Sequence, residues 1–235
     1  MTTVLAALAK AVGQLSDPAI VRVLVKTALI TALLFAGLVW SLYRGLIWIG
    51  TEMNWSGEGW IEAITAAVLA LVAGWLLFRT VALAVLQLFA DEIVAAVEAR
   101  HYPIAATHAK PLPLHQDIGN ALRGMARALV FNALAIPVAA VLFVTGIGPA
   151  AVFLIVNAVL LGRELTDMAW LRHCEGDTRG NPVSGLDRLT LGGAIAGLML
   201  VPFVNLLAPV IGAAAGTHLT QGALSRAADK EANHA

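Results

Sequence analysis

The sequence predicts an all-α integral membrane protein, a single membrane domain over residues 1–235, with two long transmembrane helices, two partly penetrating helical hairpins and an amphipathic amino-terminal helix. Three observations lead there. The chain is 59% hydrophobic and 13% charged, with mean hydropathy +0.81, so it has too little polar surface to cover a soluble globule of 235 residues. Two apolar runs, from Thr27 to Tyr43 and from Ile61 to Phe78, approach the roughly 20 residues that a ~30 Å hydrocarbon core requires. The other apolar stretches are cut by Gly and Pro into shorter arms, 131–145 against 150–162 and 189–201 against 204–217. Arms of that length suit hairpins that enter the bilayer part-way and return.

The elements follow in order. Val4, Leu5, Leu8, Val12 and Leu15 recur at helical spacing within residues 1–17, as expected of a helix lying at the membrane interface. Lys10 interrupts the run and Ser16-Asp17-Pro18 follows it, which is not the chemistry of a cleaved signal peptide. Ser16 or Asp17 is a helix cap and Pro18 suits a first helical turn, where its missing N–H costs nothing. The connection from Gly45 to Trp60 is acidic, with Trp40, Trp48, Trp55 and Trp60 as interfacial anchors around it. After the second span the helical pattern continues through Val81, Val85, Leu88, Phe89, Ile93 and Val97, predicting a long helix that projects beyond the membrane. Pro103, Pro111 and Pro113 make 101–116 a loop, with Asp117 as the cap of the next helix.

The hairpins form an internal repeat. Gly146, Gly148 and the following Pro149 supply flexible backbone and a helix restart at the first tip; Pro202, Asn205 and Pro209 occupy the second. Gly193 with Gly197 and Gly212 with Gly216 make two small-xxx-small faces for close helix contact. Residues 223–235 read as a polar tail.

Charge orients the chain. Arg22 and Lys26 precede the first span, whereas the Gly45–Trp60 connection carries Glu52 and Glu58 and no Lys or Arg. Arg100, Lys110, Arg123, Arg127, Arg163, Arg172, Arg179, Arg188, Arg226 and Lys230 flank the hairpins and tail. The positive-inside rule then puts both termini in the cytoplasm. The 15 basic and 15 acidic side chains cancel, which offers nucleic acid no general attraction. Cys174 is the single cysteine, so no intramolecular disulfide and no cysteine-cluster metal site is expected. His101, His108 and His115 repeat at seven-residue spacing, but the intervening prolines spoil a shared helical face, so no metal or other cofactor is expected. The sequence contains no nucleophile-elbow, zincin or phosphate-loop signature, which argues against an enzyme.

At VTGIGPAAVFLIVNAVLLGRELTDMAW, then LGGAIAGLMLVPFVNLLAPVIGAAAGTHL, with AVLQLFADEIVAAVEAR before them, the chain resembles the CysZ sulfate-permease and etoposide-induced protein family. The likeness runs over about residues 18 to 222 and is carried by the Gly146-Ile147-Gly148 tip, the Pro202, Asn205 and Pro209 spacing, and Glu98 near the end of the long second helix. The resemblance implies a bacterial inner-membrane protein that assembles as a homo-oligomer and passes sulfate for cysteine synthesis.

Sulfate is divalent and strongly hydrated, so its site must replace water with helix N-terminal amides, guanidinium forks or hydroxyls. Arg22, close after the start made by Pro18, is the leading candidate, with Lys26 as its neighbour. Arg123 and Arg127, four apart and hence on one helix face, would line a cytoplasmic vestibule or attract lipid headgroups. The alternative is a membrane scaffold that transports nothing, for which the projecting second helix supplies an interaction surface.

Overall fold

The structure, a computed structural model, describes residues 3–52, 74, 89–110, 113–174, 180–202 and 204–234. Every regular element among them is helical: α1 (Val4–Gly13), α2 (Pro18–Glu52), α3 (Ala90–His101), α4 (Pro103–His108), α5 (Leu114–Val141), a 3₁₀ turn (Leu142–Thr145), α6 (Gly148–Trp170), α7 (Gly185–Met199) and α8 (Val204–His234). The chain forms two compact units, one of residues 1–20 with 90–235 and one of residues 21–89.

Three of the described helices are long and apolar enough to cross a membrane: Pro18–Ser41, Ile118–Thr145 and Gly148–Trp170. The first agrees with the predicted opening span. The second predicted span, 61–78, and Trp55 and Trp60 lie outside the described residues. The other two revise the first hairpin. Its arms are not half-length, because α5 runs 28 residues and α6 runs 23, about 42 Å and about 34 Å at 1.5 Å per residue. The helices outrun the apolar arms because helix formation does not stop at Asn120, Arg123, Arg127 or Arg163; polar residues end an apolar run without ending a helix.

Smaller differences have local causes. α2 continues through Gly45 to Glu52 where a loop was expected. A short α4, opened by Pro103 in its first turn, occupies part of the proline-punctuated 101–116 segment. α5 starts at Leu114 behind Pro113, three residues before the expected cap at Asp117. Asp17 bonds Arg100 and His101 on α3, at 3.0 and 3.8 Å. Arg163 pairs one turn along with Asp167, at 3.3 Å.

In the larger unit α6, α7 and α8 pack against one another, α1 and α3 flank α8, and α5 packs against α6. Glycine sets the closeness of these helices. A β-carbon at Gly162 would collide with the Arg188 carbonyl, one at Gly192 with the Ala158 carbonyl, and one at Gly216 with the Leu165 carbonyl. Of the anticipated small-residue faces, Gly212 and Gly216 both pack on Leu165, whereas Gly197 faces open space. α8 is buried without interruption from Ala208 to Gln221.

α1 forms where expected, with the Thr3 hydroxyl accepting from the Ala6 N–H as its cap. The side it buries is the small one: Ala7 and Ala11 are fully buried, with Gln14 beside them, while Leu5 and Val12 are exposed. Alanines allow close approach to α8, and the larger apolar side chains are left for the bilayer interface that the amphipathic pattern predicted.

The hairpin tips satisfy their own backbone. At the first, Gly146 adopts φ +72°, a left-handed conformation glycine takes without strain. The Gly146 N–H donates to Phe143 O at 3.0 Å, and the Gly148 N–H to the Thr145 hydroxyl at 2.9 Å. At the second, the Val204 N–H donates to Pro202 O at 2.8 Å and the Asn205 N–H to Val201 O at 3.0 Å, while Pro209 sits inside α8.

Candidate functional site

α3 delivers a carboxylate to the middle of the larger unit. Acidic residues open the helix and Arg100 and His101 close it, in keeping with its dipole. Ile93, Val94 and Val97 make its buried stripe, and Glu98 extends that stripe, so helical spacing carries a charge inward with the apolar side chains. Glu98 is fully buried.

Three donors meet it. Glu98 Oε2 accepts from Arg172 Nε at 2.9 Å; Oε1 accepts from His173 Nε2 at 2.8 Å and from Gln221 Nε2 at 3.2 Å. Arg172 and His173 belong to the turn that ends α6, a turn held from outside by the Lys110 N–H donating to Arg172 O at 2.9 Å. Burial pushes the Glu98 carboxyl up, but hydrogen bonds from His173 and Arg172, reinforced by their charges, outweigh it and leave the pKa below the usual value. The carboxylate is therefore ionised at neutral pH. Arg172, partly exposed, carries the compensating charge toward solvent.

A second polar group lies one turn earlier on α8. His218 is fully buried; Tyr102 Oη lies 2.8 Å from its Nδ1 and Gln14 Nε2 lies 3.1 Å from its Nε2. With the Gln14 amide donating, the ring proton resides on Nδ1 and bonds the phenol oxygen. Burial, followed by the neighbouring His101 and Lys10, lowers the His218 pKa to about 4, so the imidazole is neutral at pH 7. Burial also raises the Tyr102 phenol. A third group fastens the base of α7. Asn181 Nδ2 donates to Asp167 Oδ1 at 2.7 Å, Arg188 Nε donates to Val183 O at 2.9 Å, and the Thr220 hydroxyl donates to Thr166 O at 3.2 Å. Buried Thr166, Thr217, His218, Thr220 and Gln221 thus form a polar seam through an apolar helical core.

The residues expected from sequence fall elsewhere. Arg22 is exposed on the second turn of α2, and Lys26 stands one turn further with its Nζ 4.3 Å from the Phe89 ring centroid; both belong to the smaller unit. Arg123 and Arg127 share a face of α5, where Arg123 Nη1 donates to Asn120 Oδ1 at 3.0 Å. Gly146, Gly148, Pro202, Asn205 and Pro209 build the two turns described above. None of these residues belongs to the buried seam. The seam had one legible signal, the run Thr217-His218-Leu219-Thr220-Gln221, which places four polar side chains within five positions of an otherwise small and apolar helix.

Three described helices long and apolar enough to cross a bilayer define a multi-pass α-helical membrane protein. Within that class the chain belongs to the family Sulfate transporter CysZ/Etoposide-induced protein 2.4, whose model matches residues 7–209. No curated protein and no solved structure matches the chain.

Proposed function

We propose that this chain is a bacterial inner-membrane sulfate-uptake protein, channel-like or passive, that supplies sulfate for cysteine biosynthesis and works as a homo-oligomer with both termini in the cytoplasm. Membership of the sulfate-transporter family is the observation that carries the reading. The buried seam agrees with it, since an anion crossing a helical bundle requires polar groups where a passive bundle needs none.

In this reading Arg22 captures the anion, combining its guanidinium with the positive end of the helix opened by Pro18, and Lys26 adds a second charge on the same face. Arg123 and Arg127 raise the anion concentration near α5 through screened attraction. Replacing Arg22 by Gln removes one charge-assisted contact of about 1.5–3 kcal/mol and weakens sulfate binding by roughly one to two orders of magnitude. Arg123→Gln has a smaller effect that fades at high ionic strength. Radiolabelled sulfate entry into liposomes holding only this protein is the direct test; no uptake by the unmutated protein removes the transport reading.

One observation favours the alternative, a membrane scaffold that transports nothing. Glu98 is saturated by its three donors, as a purely structural ion pair would be. A scaffold withstands Arg22→Gln with no change in its cellular role, whereas a sulfate-uptake protein does not.

A further inference from the structure

Among the described residues, Asn120 Nδ2 and Trp170 Nε1 are buried donor atoms without a hydrogen-bond partner. Such atoms are rare in folded chains, since a buried N–H ordinarily finds an acceptor. The two stand at one level of the same hairpin. α5 and α6 run antiparallel from the 3₁₀ tip, and Asn120 and Trp170 each lie about 32 Å from it at 1.5 Å per residue. Arg123 fixes which way the Asn120 amide faces. Its Nη1 donates to Asn120 Oδ1, and turning the amide over would set two donors against each other, so Nδ2 must present its hydrogens on the side away from Arg123. Arg123 itself is exposed, which leaves its remaining guanidinium N–H groups free to turn toward an arriving ligand.

The surroundings hold one further cation and two carboxylates, Asp117 one turn before Asn120 and Asp167 one turn before Trp170. The bond from the Lys110 N–H to Arg172 O sets Lys110 beside the end of α6, two residues past Trp170. Asp167, the carboxylate one turn before Trp170, is held by Arg163 and Asn181 and is not available to those donors. An indole N–H, an amide NH₂ and a guanidinium, all donors, match the acceptor oxygens of a tetrahedral oxyanion.

We propose that the base of the α5/α6 hairpin binds a tetrahedral oxyanion, either dissolved sulfate or phosphate or the phosphate of an anionic lipid headgroup, through Arg123, the Asn120 amide and the Trp170 indole. The site deepens the sulfate-uptake reading and rests on it only for the choice of sulfate among oxyanions. Its residues belong to the larger unit, whereas Arg22 belongs to the smaller one.

The test reads the indole N–H directly. The full chain, with its tryptophans labelled with ¹⁵N, is placed in nanodiscs of neutral lipid, and Trp170→Phe identifies the Trp170 resonance. Sodium sulfate is titrated against sodium chloride at matched ionic strength, and a parallel sample contains phosphatidylglycerol. A saturable shift of the Trp170 resonance with sulfate in neutral discs assigns a dissolved oxyanion; a shift only in phosphatidylglycerol assigns the lipid headgroup. In either case Arg123→Gln, which keeps the fold because Arg123 is exposed, weakens the response at least tenfold, and Asn120→Ala does likewise. Should Trp170→Phe not fold, the responding indole is the one whose shift Arg123→Gln abolishes. No saturable shift in either disc, or an undiminished shift in Arg123→Gln, overturns the proposal. Sulfate flux is a separate measurement: flux with a silent indole removes this site alone, and a responding indole without flux removes the transport reading and keeps the site.

Discussion

The two hairpins share a design in sequence and part company in structure. In the first, the arms are long and their apolar side chains point outward: Leu129, Leu134, Ile136, Val138 and Val141 of α5 are exposed, as are Phe143, Val144 and Ile147 at the tip. In the second, α7 is a 15-residue arm and α8 a 31-residue one, and their buried surface mixes Gly, Ala and Thr with the large side chains of Leu191, Ile195, Val210, Ile211 and Leu219. Hydropathy treats both as greasy helices. The difference is sharpest between α5, whose apolar side chains are exposed, and α8, whose side chains are covered by the neighbouring helices. In a membrane, a large aliphatic residue gains little by leaving lipid for protein, while a glycine gains contact that only close backbones provide.

The contrast predicts an all-or-none difference in access. Cysteines at Val144 and Leu200, both exposed at their tips, separate a hairpin long enough to cross from one with a short arm. Labelling with an impermeant maleimide from outside is expected at Val144→Cys and not at Leu200→Cys; labelling at both would make the second hairpin a full crossing too.

Next in size comes the buried ion pair. Arg172→Met leaves Glu98 charged with only His173 and Gln221 for company, and breaking a buried pair costs about 3–5 kcal/mol. Thermal unfolding in detergent should fall steeply, and Arg123→Met on the first hairpin should scarcely move it. Closely behind stand the packing glycines. Gly192→Ala drives a methyl into the Ala158 carbonyl and is expected to cost about 1–3 kcal/mol, whereas Gly124→Ala on α5, with open space at its β-position, should be neutral or slightly stabilising. Equal losses at the two glycines would dissolve the distinction between the hairpins.

Acidification gives a smaller, graded effect with a definite sign. His218 is held neutral down to about pH 4 when folded and titrates at its ordinary 6.5 when unfolded. The unfolded chain therefore binds more protons between those values, and stability falls as pH drops through that window. Glu98 adds to the loss at lower pH, because its folded pKa is depressed and its contribution disappears as pH falls through it. His218→Gln should flatten the stability profile between about pH 6.5 and about pH 4, read by denaturation at several pH values. An unchanged slope would show that the imidazole is not shielded.

Much of this was legible in the residues, and the failures are instructive. Pro18 opening α2, Gly146 at a turn and the helical amino-terminal segment all rest on local chemistry, and all appear. Arm length was misjudged because α5 keeps its helix through the polar residues at 120–127, so the edge of an apolar run was not the edge of an element. The docking side of α1 has no such signal, because small residues carry almost no hydropathy pattern, yet Ala7 and Ala11 are what α8 accepts. The buried cluster escaped for a different reason. Glu98, Arg172 and Gln221 are far apart in sequence, and no spacing rule joins residues on three separate elements.

The docking of α1 on α8 also constrains how the protein is made. Gln14 meets His218 at a sequence separation of 204. At 5–20 residues per second, a ribosome needs roughly 10–40 s to supply the second partner after the first. During that interval the amino-terminal helix has no protein surface to rest on, and its exposed Leu5 and Val12 give it a provisional lodging at the lipid headgroups. α1, made well before the helix it docks on, is thus among the last elements to find its place, and a nascent chain halted before residue 218 should leave α1 open to protease while the spans behind it are already inserted.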